Sequence, residues 1–313
     1  QQSPEVRDFL LRTAYLDEFD VELCRAVLGE HQDWSKLIDI VLVNNLFVLP
    51  LGEDGKWIRY HHLFRDFLQS RLEQIYPNQK AVILERLGQV YARRGEWDKA
   101  FATYQKLANP QAIAKLIELA GTPLLNSGRL KALKEWLDYL PADVMKDYPT
   151  LYSLKGVILA VQGQVEQGIA LLNQAEQALR ASGDLVNLAL TLVRRAAAYR
   201  FQGDYHASLR DASEVLSLAD GEARLIGPKA EALRAFGTIL YHMGRLNEAL
   251  EKYTESLDLY ESMGDLQNVA MLRMELGLVH MDMGRYTQSL NYYQQSLNYW
   301  RETNSTMRVA TLY

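Results

Sequence analysis

A glycine between two helical apolar patterns recurs about every 40 residues in the second half of this chain. The positions are Gly163, Gly203, Gly244 and Gly284, so the spacings are 40, 41 and 40 residues. Two residues after each glycine stands an apolar or aromatic side chain that opens a second helical pattern. A period of this length is typical of proteins built from stacked helix pairs, in which each unit packs on its neighbours.

Small and aromatic residues return at fixed places around these glycines. Seven residues upstream stands a small residue that lets two helices approach closely: Gly156, Ala196, Gly237 and Gly277. Downstream, Ala249, Tyr253 and Leu257 share one helical face, since they are spaced by four. This pattern resembles the tetratricopeptide repeat. The resemblance implies an α-superhelical array over residues 149–313, with four repeats to about residue 305 and a truncated fifth at Met307–Tyr313.

The middle of the chain, residues 78–148, carries the same pattern less regularly. Gly88, Gly95 and Tyr104 take the repeat positions again, which predicts a helix pair at about 81–108. A looser pair follows through Gly128 and Trp136. We expect a connecting helical arm with irregular helix pairs.

The first 77 residues change from helical to strand periodicity and back. Helical faces are predicted from Val6 to Thr13, from Val21 to Leu28 with Asp20 as the N-cap, and from Trp34 to Val43. Two strands follow, at Leu46–Leu49 and Trp57–Tyr60, with an Asp-Gly turn between them, and a last helix opens at His61. This order predicts a winged-helix domain, so the whole chain is expected to be all-α with one small β-hairpin wing.

Charge argues against nucleic acid as a partner of this winged helix. Residues 1–75 hold eight Lys and Arg against thirteen Asp and Glu, a balance of −5, and the whole chain has 34 basic and 39 acidic residues. The third helix carries only Lys36 and Asp39 as charges. Phosphate binding needs clustered cations, so we expect no direct contact with nucleic acid.

Composition excludes two further classes of protein. The single cysteine, Cys24, cannot form an internal disulfide, and no apolar run approaches the ~18 residues of a membrane-spanning helix. The chain opens at Gln1 without an initiator Met and without a signal peptide. We expect a piece of a longer cytoplasmic protein that has no contact with a membrane.

Three segments of the winged helix carry a more specific resemblance. Pro4–Ala14, Leu23-Cys24 and Trp57–Phe64 resemble the MalT-like group of large ATP-binding LuxR-type regulators, which belong to the STAND class of signal-transduction ATPases. In that class a nucleotide-binding module precedes a winged helix, a helical arm, a repeat sensor and an effector domain. The resemblance implies that the nucleotide-binding domain of the same chain is a partner of this fragment. It also implies that the parent self-associates when active.

The same resemblance singles out one histidine. The family carries a Met-His-Asp-like motif before the closing helix, and Tyr60, His61 and His62 take its three places. His61 would then contact the phosphate of a nucleotide bound in the parent and favour the resting ADP state. At the third place this chain has His62 where the family motif has Asp. The structural alternative is that His61 caps the last helix or completes a core.

No catalytic motif appears in the chain. A Walker-type G-x-x-x-x-G-K-[ST] loop is missing, and no G-x-S-x-G, H-E-x-x-H or metal-ligand spacing occurs. We therefore predict that the fragment is not an enzyme and binds no cofactor or metal. ADP or ATP would belong to the parent, which is expected to act as an ATPase switch.

The leading helices of the repeats supply the candidate ligand contacts. They are polar, aromatic or sulfur-containing side chains suited to a small-molecule or protein inducer: Arg194, Tyr199, Arg234, Tyr241 and Met274. Arg195 and Glu231 are placed on the same wall. Solvated helix faces are the alternative for each of these charges.

Two function classes remain open. The first is the sensor and switch fragment of an ATP-dependent STAND regulator, in particular a transcriptional activator. The second is a tetratricopeptide scaffold that binds a protein partner without nucleotide control. Residues 1–76 favour the first, because a scaffold has no need of an acidic winged helix that ends in His-His-Leu-Phe.

Overall fold

The structure is a computed structural model that describes residues 2–30, 32–52 and 56–303. The chain divides into two compact units, residues 1–144 and 145–313. The Asp-Gly turn of the hairpin and the start of a fifth repeat lie outside the described residues. The division into domains at 1–77, 78–148 and 149–313 stays a prediction.

Three helices open the first unit: α1 (Pro4–Thr13), α2 (Val21–Leu28) and α3 (Trp34–Val43). Each begins after a side chain that accepts a hydrogen bond from a backbone N–H of the first turn. These N-cap residues are Ser3, Asp20 and Asp33. The predicted N-cap at Asp20 is confirmed, with its Oδ1 accepting from the Leu23 N–H at 2.8 Å.

The wing is an antiparallel pair, β1 (Val48–Leu51) and β2 (Trp57–Tyr60), with Val48 opposite Tyr60. The first strand begins two residues later than predicted. Asn45 and Phe47 have φ of 49° and 55°, and this left-handed backbone is incompatible with an extended strand. The chain becomes extended only at Val48, after this turn.

Aromatic side chains fill the core of the winged helix. Phe9 packs against Phe19 and Trp34, with ring centroids 6.2 Å apart in both pairs. The hydroxyl of buried Tyr60 lies 2.6 Å from Thr13 Oγ1, and this hydrogen bond ties β2 to α1. Cys24 is fully buried in α2, where burial raises the pKa of its thiol.

The closing helix α4 (His62–Ile75) leads into further helices of the first unit. They are α5 (Gln79–Arg93), α6 (Trp97–Lys106), α7 (Pro110–Asn126) and α8 (Leu130–Tyr139), and the short α9 (Ala142–Met145) contains the boundary between the two units. Helices α5 and α6 are the predicted pair at 81–108. The looser pair corresponds to α7 and α8, and Trp136 of α8 stacks on Phe101 at 4.6 Å.

The second unit, as far as residue 303, is a series of four helix pairs, with a short 3₁₀ helix at Ala223–Leu225. The pairs are α10 (Pro149–Val161) with α11 (Val165–Ser182), α12 (Leu185–Gln202) with α13 (Tyr205–Leu218), α14 (Ile226–His242) with α15 (Leu246–Met263), and α16 (Leu266–Asp282) with α17 (Tyr286–Glu302). Helices α11, α12 and α15 are 18 residues long, and these long helices account for a period near 40.

Glycine is required at two kinds of position in these pairs. The four periodic glycines have φ between 73° and 86°, the left-handed region that ends the leading helix. Gly237 lies inside α14, where an added Cβ would stand 2.7 Å from the Tyr253 ring. The predicted all-α class, with one hairpin wing and stacked helix pairs, is confirmed.

Candidate functional site

His61 lies at the N-terminus of α4, immediately after the wing. Its backbone N–H donates to the Phe47 carbonyl at 2.8 Å, and its carbonyl accepts from the Arg65 N–H at 3.0 Å. The imidazole is exposed and forms no capping hydrogen bond with the helix. The backbone of His61 is therefore fixed by the fold, while its side chain takes part in neither the core nor the helix cap.

The two neighbours of His61 have different environments. Tyr60 is buried, and burial raises the pKa of its hydroxyl well above the ordinary value. His62 is exposed, with its ring centroid 4.4 Å from that of His61. Tyr60 is buried and holds the end of β2 in the core, while His61 and His62 are exposed. His61 therefore lies at the surface on a backbone that the fold fixes. Its predicted phosphate contact stays a prediction.

The leading helices α10, α12, α14 and α16 carry a row of polar side chains, here called the leading-helix face: Ser153, Arg194, Glu231, Arg234 and Glu275. The Arg194 guanidinium donates to Ser153 Oγ at 3.0 Å, which joins α12 to α10. Burial lowers the pKa of Arg194 to about 10, and the charge of Glu231 opposes that shift. Arg194 is therefore still a cation at neutral pH.

Arg234 lies at the middle of this face and is only 22% exposed. Its guanidinium is 3.8 Å from a carboxylate oxygen of Glu231 and 3.9 Å from one of Glu275. A third contact is with Met271 Sδ at 4.0 Å. These distances exceed those of direct charge-assisted hydrogen bonds, so much of the donor capacity of Arg234 is unused by its carboxylate neighbours.

Tyr241 lies seven residues beyond Arg234 on α14, a separation of two turns, or about 10 Å, along one face. Its hydroxyl donates to Asp282 of α16 at 2.6 Å, and this hydrogen bond raises the Tyr241 pKa to about 12. Tyr199 and Met274 are half-buried. The structure brings Arg194 and Arg234 to a shared neighbour, Glu231, whereas Tyr241 is engaged with Asp282.

Arg195 does not lie on the wall where the sequence places it. Its guanidinium forms two hydrogen bonds of 2.8 Å with Asp211 of α13 and one of 2.8 Å with Asn173 of α11. It also forms an ion pair with Glu176. One residue turns a helix by about 100°, so Arg195 points between the trailing helices while Arg194 points to the leading-helix face.

Sequence reasoning missed three residues of this region: Ser153, Glu275 and Asp282. Each contacts a candidate residue from a neighbouring repeat, about 40 positions away. Comparing equivalent positions in successive repeats could have found them, because stacked repeats bring such positions together. In the part of the chain that the structure describes, no group of three His, Cys, Asp or Glu residues is arranged to hold a metal ion.

Known protein families match both parts of the chain. Residues 1–80 match the MalT winged helix domain. Residues 83–111 and 269–306 each match the tetratricopeptide repeat. The first unit therefore begins with a MalT-type winged helix, and tetratricopeptide repeats occur in both units.

Two curated relatives of this chain are MalT proteins. The chain is 27% identical over 173 residues to the HTH-type transcriptional regulator MalT of Vibrio parahaemolyticus, a match that covers 55% of this chain and 19% of the relative. The MalT of Klebsiella pneumoniae is 24% identical over 247 residues, which cover 78% of this chain and 27% of the relative. The chain thus spans between 19% and 27% of the length of these relatives.

Two solved structures share the fold. A STAND protein with a tetratricopeptide repeat sensor from Pyrococcus horikoshii has a TM-score of 0.65 at 14% identity, covering 99% of this chain and 53% of that one. NprR in complex with its cognate peptide NprX has a TM-score of 0.58 at 17% identity, covering 100% and 84%. The expected resemblance to MalT-like proteins with repeat sensors is confirmed. None of the described helices is long and apolar enough to cross a bilayer.

Proposed function

We propose that this chain is the switch and sensor part of an ATP-dependent transcriptional regulator of the STAND class. The observation that carries the proposal is the MalT-type winged helix over residues 1–80, which presents an exposed His61 on a fixed backbone. A repeat array follows it. In the proposed mechanism a cytoplasmic parent binds ADP at rest and ATP when active, and it self-associates in the active state.

Within this mechanism His61 contacts a phosphate of the nucleotide held by the parent's nucleotide-binding domain. An imidazole at a helix N-terminus suits this contact, because the helix dipole favours an anion at the same place. The fragment itself has no catalytic role, since its sequence holds no phosphate-cradling loop. The winged helix acts as an internal switch and contacts no DNA.

We place the inducer on the leading-helix face. Arg194 and Arg234 would donate to a polar ligand there, and Tyr199, Tyr241 and Met274 would supply stacking and packing. A repeat protein of the same fold, NprR, is in complex with a peptide, which supports a peptide or small-molecule inducer. The ligand must bind the active shape more tightly than the resting shape, because tight binding alone shifts no equilibrium.

The test is nucleotide exchange in the parent protein that contains this chain. His61→Ala should speed release of a fluorescent ADP analogue about tenfold or more, consistent with the loss of one charge-assisted hydrogen bond. His62→Ala is the matched control, because His62 is the exposed neighbouring imidazole. Exchange that is equal in both variants and in the wild type would show that His61 is structural only.

If the parent protein has no Walker-type loop, the switch function is excluded. The alternative then stands, in which the chain is a tetratricopeptide scaffold that binds a protein partner without nucleotide control. The ligand site is tested separately by thermal shift with a metabolite and peptide screen. A hit that binds the triple variant Arg194→Ala, Arg234→Ala, Tyr241→Ala as well as the wild type would place the site elsewhere.

A further inference from the structure

A carboxylate of the winged helix, Asp17, is shared between α4 and α6, one of the helices α5–α8 that are here called the arm helices. Its Oδ1 accepts a hydrogen bond from Arg65 Nη1 of α4 at 3.0 Å. Its Oδ2 accepts a hydrogen bond from Lys106 Nζ of α6 at 2.8 Å. Each oxygen therefore binds a different helix. We call these three residues the shared-carboxylate bridge.

Asp17 lies in the loop between α1 and α2, and this loop is fixed to the core of the winged helix. Leu16 and Phe19, on either side of Asp17, are fully buried. The backbone of Phe19 also forms two hydrogen bonds of 2.9 Å with Ile58 of β2. The carboxylate is therefore held at a fixed place, so a movement of α6 changes the distance from Lys106 to Asp17.

The first turns of α4 are held less firmly than its later turns. Leu68 and Leu72 are buried and hold the later turns in the core. Within residues 62–67 no side chain is buried. Arg65 belongs to this part, and its backbone N–H donates to the His61 carbonyl at 3.0 Å. The ion pair of Arg65 with Asp17 therefore helps to fix the turn that carries His61.

Open space flanks the shared-carboxylate bridge on both sides. Cavities of about 390 Å³ and about 500 Å³ are each lined by Asp17, Arg65 and Lys106. These side chains therefore have room to change position. Ion pairs between partly exposed side chains are also weak enough to break and re-form.

Arg65 and Lys106 compete for the two oxygens of Asp17. Arg65 has a donor to spare, because its buried Nε forms no hydrogen bond with any residue that the structure describes and is 3.9 Å from an oxygen of Asp66. If α6 withdrew Lys106, Arg65 could pair with both oxygens, which is the favoured geometry of a guanidinium with a carboxylate. A movement of the arm helices would then change how firmly the first turn of α4 is held.

We propose that the shared-carboxylate bridge couples the arm helices to His61, which makes Asp17 and Lys106 positioning residues for the phosphate contact. This inference rests on the function proposed above for His61 and adds the route by which the arm helices reach it. Neither positioning residue contacts the nucleotide. Both act through Arg65 and the first turn of α4.

Hydrogen exchange of the full chain, measured by mass spectrometry, tests the coupling. Asp17→Asn weakens both contacts of the bridge, so exchange of the amides at 61–67 should be about threefold or more faster. Lys106→Met leaves both oxygens to Arg65, so the same amides should exchange more slowly by a similar factor. Exchange in α12–α15 should not change, which excludes a general loss of stability.

Lys99→Met is the matched control for Lys106→Met. Lys99 also lies on α6 and lines one of the two cavities, but it forms its ion pair with Glu96. Exchange at 61–67 that changes in the same direction in Asp17→Asn and Lys106→Met would overturn the coupling. Exchange in Lys106→Met that equals the exchange in Lys99→Met would overturn it as well.

ADP release from the parent protein tests the positioning role. Asp17→Asn should speed release about threefold or more, and the double variant Asp17→Asn, His61→Ala should release ADP no faster than His61→Ala alone, because Asp17 acts through His61. Asp98→Asn is the control, since Asp98 lines the same cavity but pairs with Arg129 of α8.

The two measurements separate the possible failures. Additive effects of Asp17→Asn and His61→Ala on ADP release would overturn the positioning role. If hydrogen exchange responds as expected but His61→Ala releases ADP like the wild type, the phosphate contact of the proposed function fails. The coupling between the arm helices and α4 would then stand.

Discussion

Three side chains satisfy the charge of Arg195 inside the repeats: Asn173, Glu176 and Asp211. Burial alone would lower the pKa of Arg195, but the hydrogen bonds that its guanidinium donates to Asp211 and Glu176 outweigh this and raise it. Asp211 is also buried, at 6% exposure. A desolvated charge of this kind is held only by its partners, so removing one member leaves the others unpaired in a medium of low polarity.

Replacing Arg195 should therefore strongly destabilise the second unit. We expect Arg195→Met to lower the free energy of unfolding by about 3–5 kcal/mol, measured by urea denaturation. The double variant Arg195→Met, Asp211→Leu should recover part of the loss, because it removes the stranded carboxylate as well. A loss below about 1 kcal/mol for the single variant would mean that solvent screens this pair.

We expect the stability of the repeats to depend on pH through His280. It is 7% exposed, and its ring stacks on Tyr292 with centroids 5.4 Å apart. Burial, and then the charge of Arg285, lowers the pKa of its imidazole. The unfolded chain therefore takes up the proton more readily than the folded one. The contribution of neutral His280 to stability is therefore present above the unfolded pKa of about 6.5 and is lost as pH falls below it.

A substitution isolates this effect. When the pH is lowered from about 8 to about 5.5, the melting temperature of His280→Phe should fall less than that of the wild type. The reason is that the variant has no imidazole at this position to protonate. His242→Phe is the control, since His242 is exposed. Parallel melting curves for His280→Phe and the wild type across this range would contradict the assignment.

At the scale of the element, contact between paired helices depends on small residues. Gly237 of α14 packs under the ring of Tyr253 on α15. Gly227 lies in the same helix, but an added Cβ there would meet nothing within 4 Å. Gly227 lies in the first turn of α14 and Gly237 in its interior, and only Gly237 is packed against a side chain of the paired helix.

These surroundings predict opposite effects of alanine. Gly237→Ala should cost about 1–3 kcal/mol of stability, because the methyl group would overlap the Tyr253 ring. Gly227→Ala should be neutral or add up to about 1 kcal/mol, since alanine restricts the unfolded chain and favours the helix. Thermal unfolding of both variants measures the difference. Similar stabilities would show that the ring shifts at little cost.

Much of the element structure could be predicted from local patterns. The periodic glycines gave the turns within the repeats, and the cap at Asp20 gave the start of α2. The start of β1 could not be predicted, because Phe47 adopts a left-handed backbone that no local preference indicates. The direction of Arg195 was also missed, since charge alone does not tell which helix face meets another helix.

At the scale of the whole molecule, the second unit has hydrophobic cores of its own. One cluster extends from Ala175 to Ala232 and another from Ala230 to Val279, and both lie wholly within residues 145–303. Stacked repeats are stabilised by their nearest neighbours, so each cluster needs only adjacent helix pairs.

We therefore expect residues 145–303 to fold when produced alone. Circular dichroism should show a helical spectrum, and urea should unfold it in a cooperative transition. The matched piece, residues 1–144, should behave likewise, because its winged-helix core is complete within it. A helical spectrum without a cooperative transition in the repeat piece would show that its cores require the rest of the chain.

The buried thiol of Cys24 has a practical consequence for studying communication between the two units. It is the only cysteine in the chain, so a thiol reagent can label one place, and that place lies in the winged helix. Labelling requires α2 to open, and its rate therefore measures the free energy of local opening there. The repeats contain no thiol. A ligand that binds to them would therefore change the labelling rate only if its binding changed the free energy of opening of α2.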